Sequence, residues 1–281
     1  MNLKEFLKNH IEPEAIILLS FVIKKPKEYI LAHPEYKISL WQKIKFNFFW
    51  KKIQSGVPMA YIIGHKEFFN LDFLVNKYTL IPRPDTEILA EETLKEITDN
   101  SLLIDVGTGT GCIPITILKS LTNRQTDLKI TTLATDISKR ALTMAKKNAK
   151  KHDVSIKFLQ GDLLSPVFKS LKFFESFQSV IITANLPYLK EEWWKNEPSI
   201  QKEPKIALVS DNENGLNIYE QLLTQIVNLK SKIKNQKLMV FWEIDPRQSS
   251  AIFPLIQKYL PEASIEIIKD LSGFDRIVKI K

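Results

Sequence analysis

The chain has 281 residues, a formal net charge of +8, 44% hydrophobic residues and 26% charged ones. A chain of this length buries a sizeable core without disulfides or metal, the balance is ordinary for a soluble globular protein, and no stretch is long enough to span a membrane. Its one cysteine, Cys112, cannot form an internal disulfide and points to a reducing, cytoplasmic compartment. The four histidines are scattered and have no cysteine partners, so no metal site is expected.

Residues 1–80 carry 12 Lys against 7 Asp+Glu, a charge of +5, leaving only +3 for the rest of the chain. This mildly basic part suits an acidic protein, an RNA surface or simply a solvated face. The apolar run Ala15–Ile23 follows Glu12 and Glu14 and precedes Lys24-Lys25, without a small-residue cleavage site. It therefore predicts a buried helix rather than a signal peptide.

Residues 1 to about 55 predict helices, from the spacing of Ile16-Leu19-Ile23 and Trp41-Ile44-Phe48. Tyr61-Ile62-Ile63, Phe68-Phe69 and Phe73-Leu74-Val75 are β-prone and predict a hairpin within 57–81. From about residue 86 helices and strands alternate. A helix over Ile88–Ile97, capped by Asp85 or Thr86, precedes a strand at Leu102–Ile104 and a helix over Ile113–Leu121. Lys129–Thr135 and Ile156–Leu159 predict strands on either side of a helix opening on Ser138. A strand at Ser179–Thr183, a helix from about Leu216, a strand at Leu238–Trp242, a helix near Gln248–Tyr259 and two final strands follow. Such alternation indicates a doubly wound, mainly parallel sheet.

The loop Asp105-Val106-Gly107-Thr108-Gly109-Thr110-Gly111 holds three of the chain's eight glycines and sits between a predicted strand and a predicted helix. Glycine permits a sharp turn and a close ligand approach at the carboxyl end of a strand. The spacing is G-x-G-x-G, not the dinucleotide G-x-G-x-x-G. A carboxylate at Asp105 would repel a pyrophosphate, yet it suits the cationic amino group and sulfonium of S-adenosylmethionine. Asp136, ending the next strand, can accept both ribose hydroxyls. Asp162 can accept from an adenine amine while Leu163 packs on the ring. Each feature alone also fits an ordinary turn or cap. Together they fall at the carboxyl ends of successive strands.

Asn185-Leu186-Pro187-Tyr188 follows the fourth strand. A planar amide or aromatic amine nitrogen is a poor nucleophile with two N–H donors. The Asn185 side-chain oxygen can accept one donor and the Leu186 carbonyl the other, favouring rehybridisation as charge develops. Tyr188 can stack on the amide plane. These residues are the candidate catalytic set. No Ser-His-Asp, Cys-His or P-loop pattern competes.

Taken with Leu31–Glu35, Gly56–Gly64, Leu80-Ile81-Pro82-Arg83-Pro84-Asp85-Thr86-Glu87, Glu203–Leu208 and Asp270–Arg276, these motifs make the chain resemble the HemK/PrmC family of release-factor glutamine N5-methyltransferases. The likeness covers nearly the whole chain, and Ile-Pro-Arg-Pro is its most family-specific segment. It implies a class I methyltransferase domain with a seven-stranded, mostly parallel sheet over 85–281. It further implies a small helical domain over 1–56 that helps hold the substrate protein, and a β-hairpin linker over 57–84. The implied cofactor is S-adenosylmethionine, with S-adenosylhomocysteine as product, held by Asp105, Gly107–Gly111, Asp136, Asp162, Leu163 and Asn185. The implied substrate is the glutamine of the Gly-Gly-Gln loop of release factors, bound by Asn185–Tyr188 and Arg83. The expected enzyme is a monomer without nucleic-acid or membrane partners. Two departures stand out. Leu186 replaces the family's usual proline, and Val209–Gly215 replaces its usual Gly-Gly segment. Asn-Leu-Pro-Tyr also resembles ribosomal RNA adenine N6-dimethyltransferases. Those enzymes place their extra helical domain after the catalytic one, and they lack Ile-Pro-Arg-Pro.

Overall fold

The computed structural model describes residues 2–8, 10, 12–125, 127–170, 174–210, 214–233 and 236–281. The chain divides into two compact units, Met1–His65 and Lys66–Lys281. The first is helical, with α1 (Leu3–Leu7), α2 (Pro13–Ile23), α3 (Lys27–Ala32), α4 (Leu40–Gln54) and α5 (Met59–Ile63). The run Ala15–Ile23 lies within α2, and Ala15, Leu18, Leu19, Val22 and Ile23 pack with Phe6, Ile30, Phe46 and Trp50. Ser39 and Gln42 form a reciprocal capping box that starts α4. Among the described residues, no helix is long and apolar enough to cross a membrane.

Tyr61–Ile63, expected as strand, lies in α5 instead. Short apolar runs are ambiguous between the two states. Here Gly64, at φ +85°, closes a helical turn by donating its N–H to Ala60. The hairpin comes later, as β1 (His65–Phe68) and β2 (Leu71–Leu74), turning through Phe69 and Asn70 at positive φ.

The larger unit continues with α6 (Asp85–Glu96), β3 (Ser101–Val106), α7 (Cys112–Asn123), β4 (Ile130–Asp136), α8 (Lys139–Lys151), β5 (Lys157–Gln160), α9 (Ser165–Ser170) and β6 (Ser179–Ala184). Then follow α10 (Glu191–Lys195), α11 (Asn217–Lys230), β7 (Lys237–Glu243), α12 (Ser249–Tyr259), β8 (Ile265–Lys269) and β9 (Asp275–Ile280). The expected side-chain cap on α6 is absent. Pro84 occupies the cap position, while Asp85 pairs with Arg276 and the Thr86 hydroxyl bonds Glu243. Ser138 does cap α8, accepting from the Ala141 amide.

Seven strands form one sheet in the order β5-β4-β3-β6-β7-β9-β8, parallel except where β9 meets its neighbours. The strands read as continuous apolar runs because both faces are covered. Leu102, Ile104, Val106, Val180, Ile182, Val240 and Trp242 enter one core, whereas Leu103, Ile181, Met239 and Phe241 enter the other. That alternation is the two-residue side-chain period of a strand. The chain runs from β3 outward through β4 to β5, then returns to the other side of β3 with β6. The loops after β3 and β6 therefore lie side by side at the switch of strand order, where this sheet type binds ligands.

Candidate active site

A cavity of about 350 Å³ opens there, within the range of small-molecule sites. Its lining includes Gly107, Thr108, Gly109, Thr110, Asp136, Asp162, Leu163, Asn185, Leu186, Pro187 and Arg83, which brings most of the expected site together. Asp105, Gly111 and Tyr188 are not in the lining. Each supports the site from behind.

The glycine loop is held from several sides. Thr108 N–H donates to Thr135 at 2.9 Å, and Gly111 N–H to Thr108 at 2.8 Å. Fully buried Asn148, which sequence reasoning missed, donates to Thr110 at 2.9 Å and binds both backbone groups of Leu74. Gly109 sits at φ +55°, and an added Cβ would meet nothing closer than Gly107 O at 4.0 Å. The loop thus presents open backbone to the cavity. Its turn geometry demands glycine at this position.

Asp136 accepts Gly109 N–H at 2.9 Å on one oxygen and Ser138 N–H at 2.8 Å on the other. Each oxygen retains a lone pair for the cavity. Burial pushes its pKa up, opposed by those two amides. Beside it Ile137 is 56% exposed and, with Leu163 at positive φ, gives the lining two apolar side chains against which a flat ring fits.

Asp105 is fully buried. Its Oδ1 accepts from the Thr183 hydroxyl at 2.7 Å, and its Oδ2 has no partner among the described residues. Burial pushes its pKa up to about 7. A raised carboxyl pKa stabilises the fold below the unfolded value of 3.8 and loses that contribution as pH rises through about 7. The ligand-free protein should therefore lose up to about 4 kcal/mol across that interval relative to Asp105→Asn. Urea unfolding of both proteins as a function of pH checks this, and parallel profiles would refute it.

Glu203 is a second residue that sequence reasoning passed over, although the segment Glu203–Leu208 was singled out. It is buried, accepts Ile81 N–H at 3.0 Å and pairs with the Arg83 guanidinium. It pins the wall formed by Leu80–Arg83 and pairs with one nitrogen of the Arg83 guanidinium, which lines the cavity. Glu203→Ala should cost about 1–3 kcal/mol of stability, the penalty for stranding a buried donor. Denaturant unfolding measures it.

Asn185 and its neighbours follow β6. Asn185 Nδ2 donates to Glu243 Oε2 and Thr86 Oγ1, each at 3.0 Å, and Oδ1 takes no donor from the described residues. Leu186 is 4% exposed and belongs to the core. It also keeps an N–H that the family's usual proline would lack, and donates it to the Tyr219 hydroxyl at 3.2 Å. That bond replaces the ring's rigidity with a tertiary anchor. The Tyr188 hydroxyl donates to Glu243 Oε1 at 2.9 Å, and its carbonyl accepts from Gln248 Nε2 at 2.9 Å. Tyr188 thus braces the turn. The stacking expected of its ring on a substrate amide is not supported by a place in the lining.

This arrangement can hold a nucleoside against β3, β4 and β5 and present two acceptors, Asn185 Oδ1 and the Leu186 carbonyl, to a donor nitrogen. Known proteins match the same segments. Residues 84–181 match the "Methyltransferase small domain" model and residues 3–64 the "PrmC N-terminal domain" model. The release factor glutamine methyltransferase of Bacillus anthracis is 35% identical over 270 residues, covering 93% of this chain and 89% of that one. The chain belongs to the release factor glutamine methyltransferase family. The Bacillus subtilis strain 168 member is 34% identical over 275 residues, covering 95% of this chain and 90% of its own. Among solved structures, the catalytic domain of human METTL16 in complex with MAT2A 3′UTR hairpin 1 shares the fold at a TM-score of 0.56. Its identity is 14%, with 76% of this chain and 75% of that one covered. Release factor glutamine methyltransferases thus supply the family, and the methyltransferase sheet supplies the architecture.

Proposed function

We propose that this protein transfers a methyl group from S-adenosylmethionine to the side-chain amide nitrogen of the glutamine in the Gly-Gly-Gln loop of peptide chain release factors. The observation that carries the reading is that Asn185 and Leu186 line a nucleoside-sized cavity, with Asn185 Oδ1 and the Leu186 carbonyl taking no donor among the described residues, in a chain whose relatives are named release factor glutamine methyltransferases.

The residues fit the cofactor. The open Gly109 backbone, the spare lone pairs of Asp136 and the apolar pair Ile137 and Leu163 all suit an amino-acid-bearing nucleoside. Gly107–Thr110 would hold its amino-acid portion, Asp136 its ribose, and Asp162 with Leu163 its base. When bound it supplies an electrophilic methyl on a sulfonium. Asp105 and Gly111 would act through the loop they support.

Asn185 and Leu186 each accept one N–H of the glutamine amide, which turns the nitrogen's lone pair toward the methyl. With the cofactor bound, Asn185 and Leu186 would hold the nitrogen while it exchanges one N–H proton, released to solvent, for the methyl, the sulfur keeping the bonding electron pair as a neutral thioether. Positioning of this kind is worth up to roughly 7–11 kcal/mol. The N-terminal unit would hold the substrate protein. Its α4 exposes Trp41, Ile44 and Phe48, and residues 36–66 contain lysines and no carboxylate. We place the enzyme in the cytoplasm as a monomer.

The test offers purified release factor and ribosomal RNA separately, each with methyl-labelled S-adenosylmethionine. Label on the release factor alone is expected. Label on RNA and none on the Gly-Gly-Gln peptide would favour adenine methylation instead.

A further inference from the structure

We propose that Glu243 is a positioning residue for methyl transfer, and that it acts by fixing which end of the Asn185 carboxamide faces the cavity. The inference rests on the reading of Asn185 given above.

Glu243 ends β7 beside the end of β6, is 1% exposed and does not line the cavity. It does not touch substrate. Its Oε2 accepts from the Thr86 hydroxyl at 2.6 Å and from Asn185 Nδ2 at 3.0 Å, and its Oε1 accepts from the Tyr188 hydroxyl at 2.9 Å. Its main-chain carbonyl accepts from the Tyr219 hydroxyl, which in turn accepts Leu186 N–H. One residue therefore anchors Asn185, Leu186 and Tyr188, directly or through one hydroxyl.

An asparagine side chain has two orientations of nearly the same shape. One presents an acceptor to the cavity and the other presents donors. A substrate amide brings two N–H donors, so only the first orientation binds it productively. A carboxylate only accepts. Turning Oδ1 toward Glu243 would set two acceptors against each other, so the carboxylate favours Nδ2 facing it, which sends Oδ1 toward the substrate. Burial raises the Glu243 pKa, while the Thr86 and Tyr188 hydroxyls and the Arg276 charge oppose that rise. Arg276 is itself held by Asp270 at 3.0 Å and by Asp85 at 3.2 Å.

Glu243→Gln tests this, because the new side chain carries its own N–H₂ and no longer selects one orientation. In otherwise wild-type enzyme, kcat on a release factor should fall at least roughly tenfold. The Kd for S-adenosylmethionine should stay within about twofold, as expected for a loss confined to the reacting group. In the Asn185→Ala background the same substitution should change kcat little, since no carboxamide remains to orient. Thr86→Val, which removes a hydroxyl bonded both to that carboxylate and to Asn185 Nδ2, tests the carboxamide's orientation by the same dependence on Asn185 if the Glu243→Gln protein fails to fold. Equal losses in both backgrounds, or wild-type turnover of Glu243→Gln, would overturn the inference. If the wild-type enzyme itself leaves the Gly-Gly-Gln glutamine unmethylated, the functional reading fails as well.

Discussion

Replacing Asn185 with alanine should lower turnover by roughly 10²–10³-fold, the usual loss when one preorganised polar partner of a developing charge is removed. The protein should still fold, because the carboxamide is only partly buried and its loss leaves the Glu243 carboxylate with the Thr86 and Tyr188 hydroxyls. Cofactor affinity should move far less than kcat, since the glycine loop and Asp136 are untouched. Asn185→Asp is the sharper variant. It sets a second carboxylate 3.0 Å from Glu243 Oε2, where an N–H₂ now stands. Like charges that close cannot both ionise. One of the two must take a proton or turn away, so this variant should be at least as inactive as alanine despite its similar shape. Steady-state kinetics with a release factor, alongside cofactor titration, separates the two effects. An Asn185→Ala enzyme with wild-type kcat would remove Asn185 from the chemistry.

Gly215→Ala should be nearly as damaging, at a position outside the cavity lining. Gly215 sits at φ +69°, and an added Cβ would fall 2.1 Å from the Tyr188 carbonyl oxygen and 2.8 Å from Gln248 Nε2. The first contact is with backbone, so it cannot be relieved by a rotamer change. Tyr188 must move, and the Gln248-to-Tyr188 hydrogen bond of 2.9 Å must break or shift with it. Overpacking of this kind costs about 1–3 kcal/mol of stability. Displacing the turn by about 1 Å can cost roughly 10²-fold in rate. Gly215→Asn separates space from backbone strain. Asparagine tolerates positive φ but carries the same Cβ, so it should fare no better than alanine. Recovery of activity in Gly215→Asn would show that the strain alone mattered. The measurement is kcat together with a urea midpoint for both variants.

Gly215 also illustrates what a sequence conceals. The segment Val209–Gly215 stood out as a departure from the family, but nothing in its composition says that one glycine packs on the carbonyl of Tyr188. Residues 211–213 of that segment lie outside the described residues. The legible parts were those governed by local periodicity. Buried parallel strands read as apolar runs, Ser138 read as a cap, and glycines at alternate positions after a strand read as a loop that the structure sets in the cavity wall. The strand–loop register at Asp105, Asp136 and Asn185 followed from the same pattern. Where the sequence reading went astray, a distant partner decided the outcome. Thr86 looked like a helix cap, yet its hydroxyl serves Glu243. Tyr188 drew notice for its ring, while the tie of its hydroxyl to the same carboxylate left no trace in the sequence. Glu243 left one trace, a lone carboxylate ending the apolar run Leu238–Trp242 at the carboxyl edge of the sheet. Tyr219 left none, because a tyrosine on an amphipathic helix is ordinary. In Tyr61–Ile63, residue type favoured strand, while the glycine stop at Gly64 favoured one helical turn.

The central claim is that the acceptor pair of Asn185 and Leu186 holds the side-chain nitrogen of a protein glutamine for methylation. The most direct measurement is fragment-ion mapping of a release factor incubated with the enzyme and S-adenosylmethionine. It should find one added methyl, on the side-chain nitrogen of the Gly-Gly-Gln glutamine, and none when Asn185→Ala is used at equal concentration for the same time. A methyl on another residue, or the same yield from Asn185→Ala, would contradict the account.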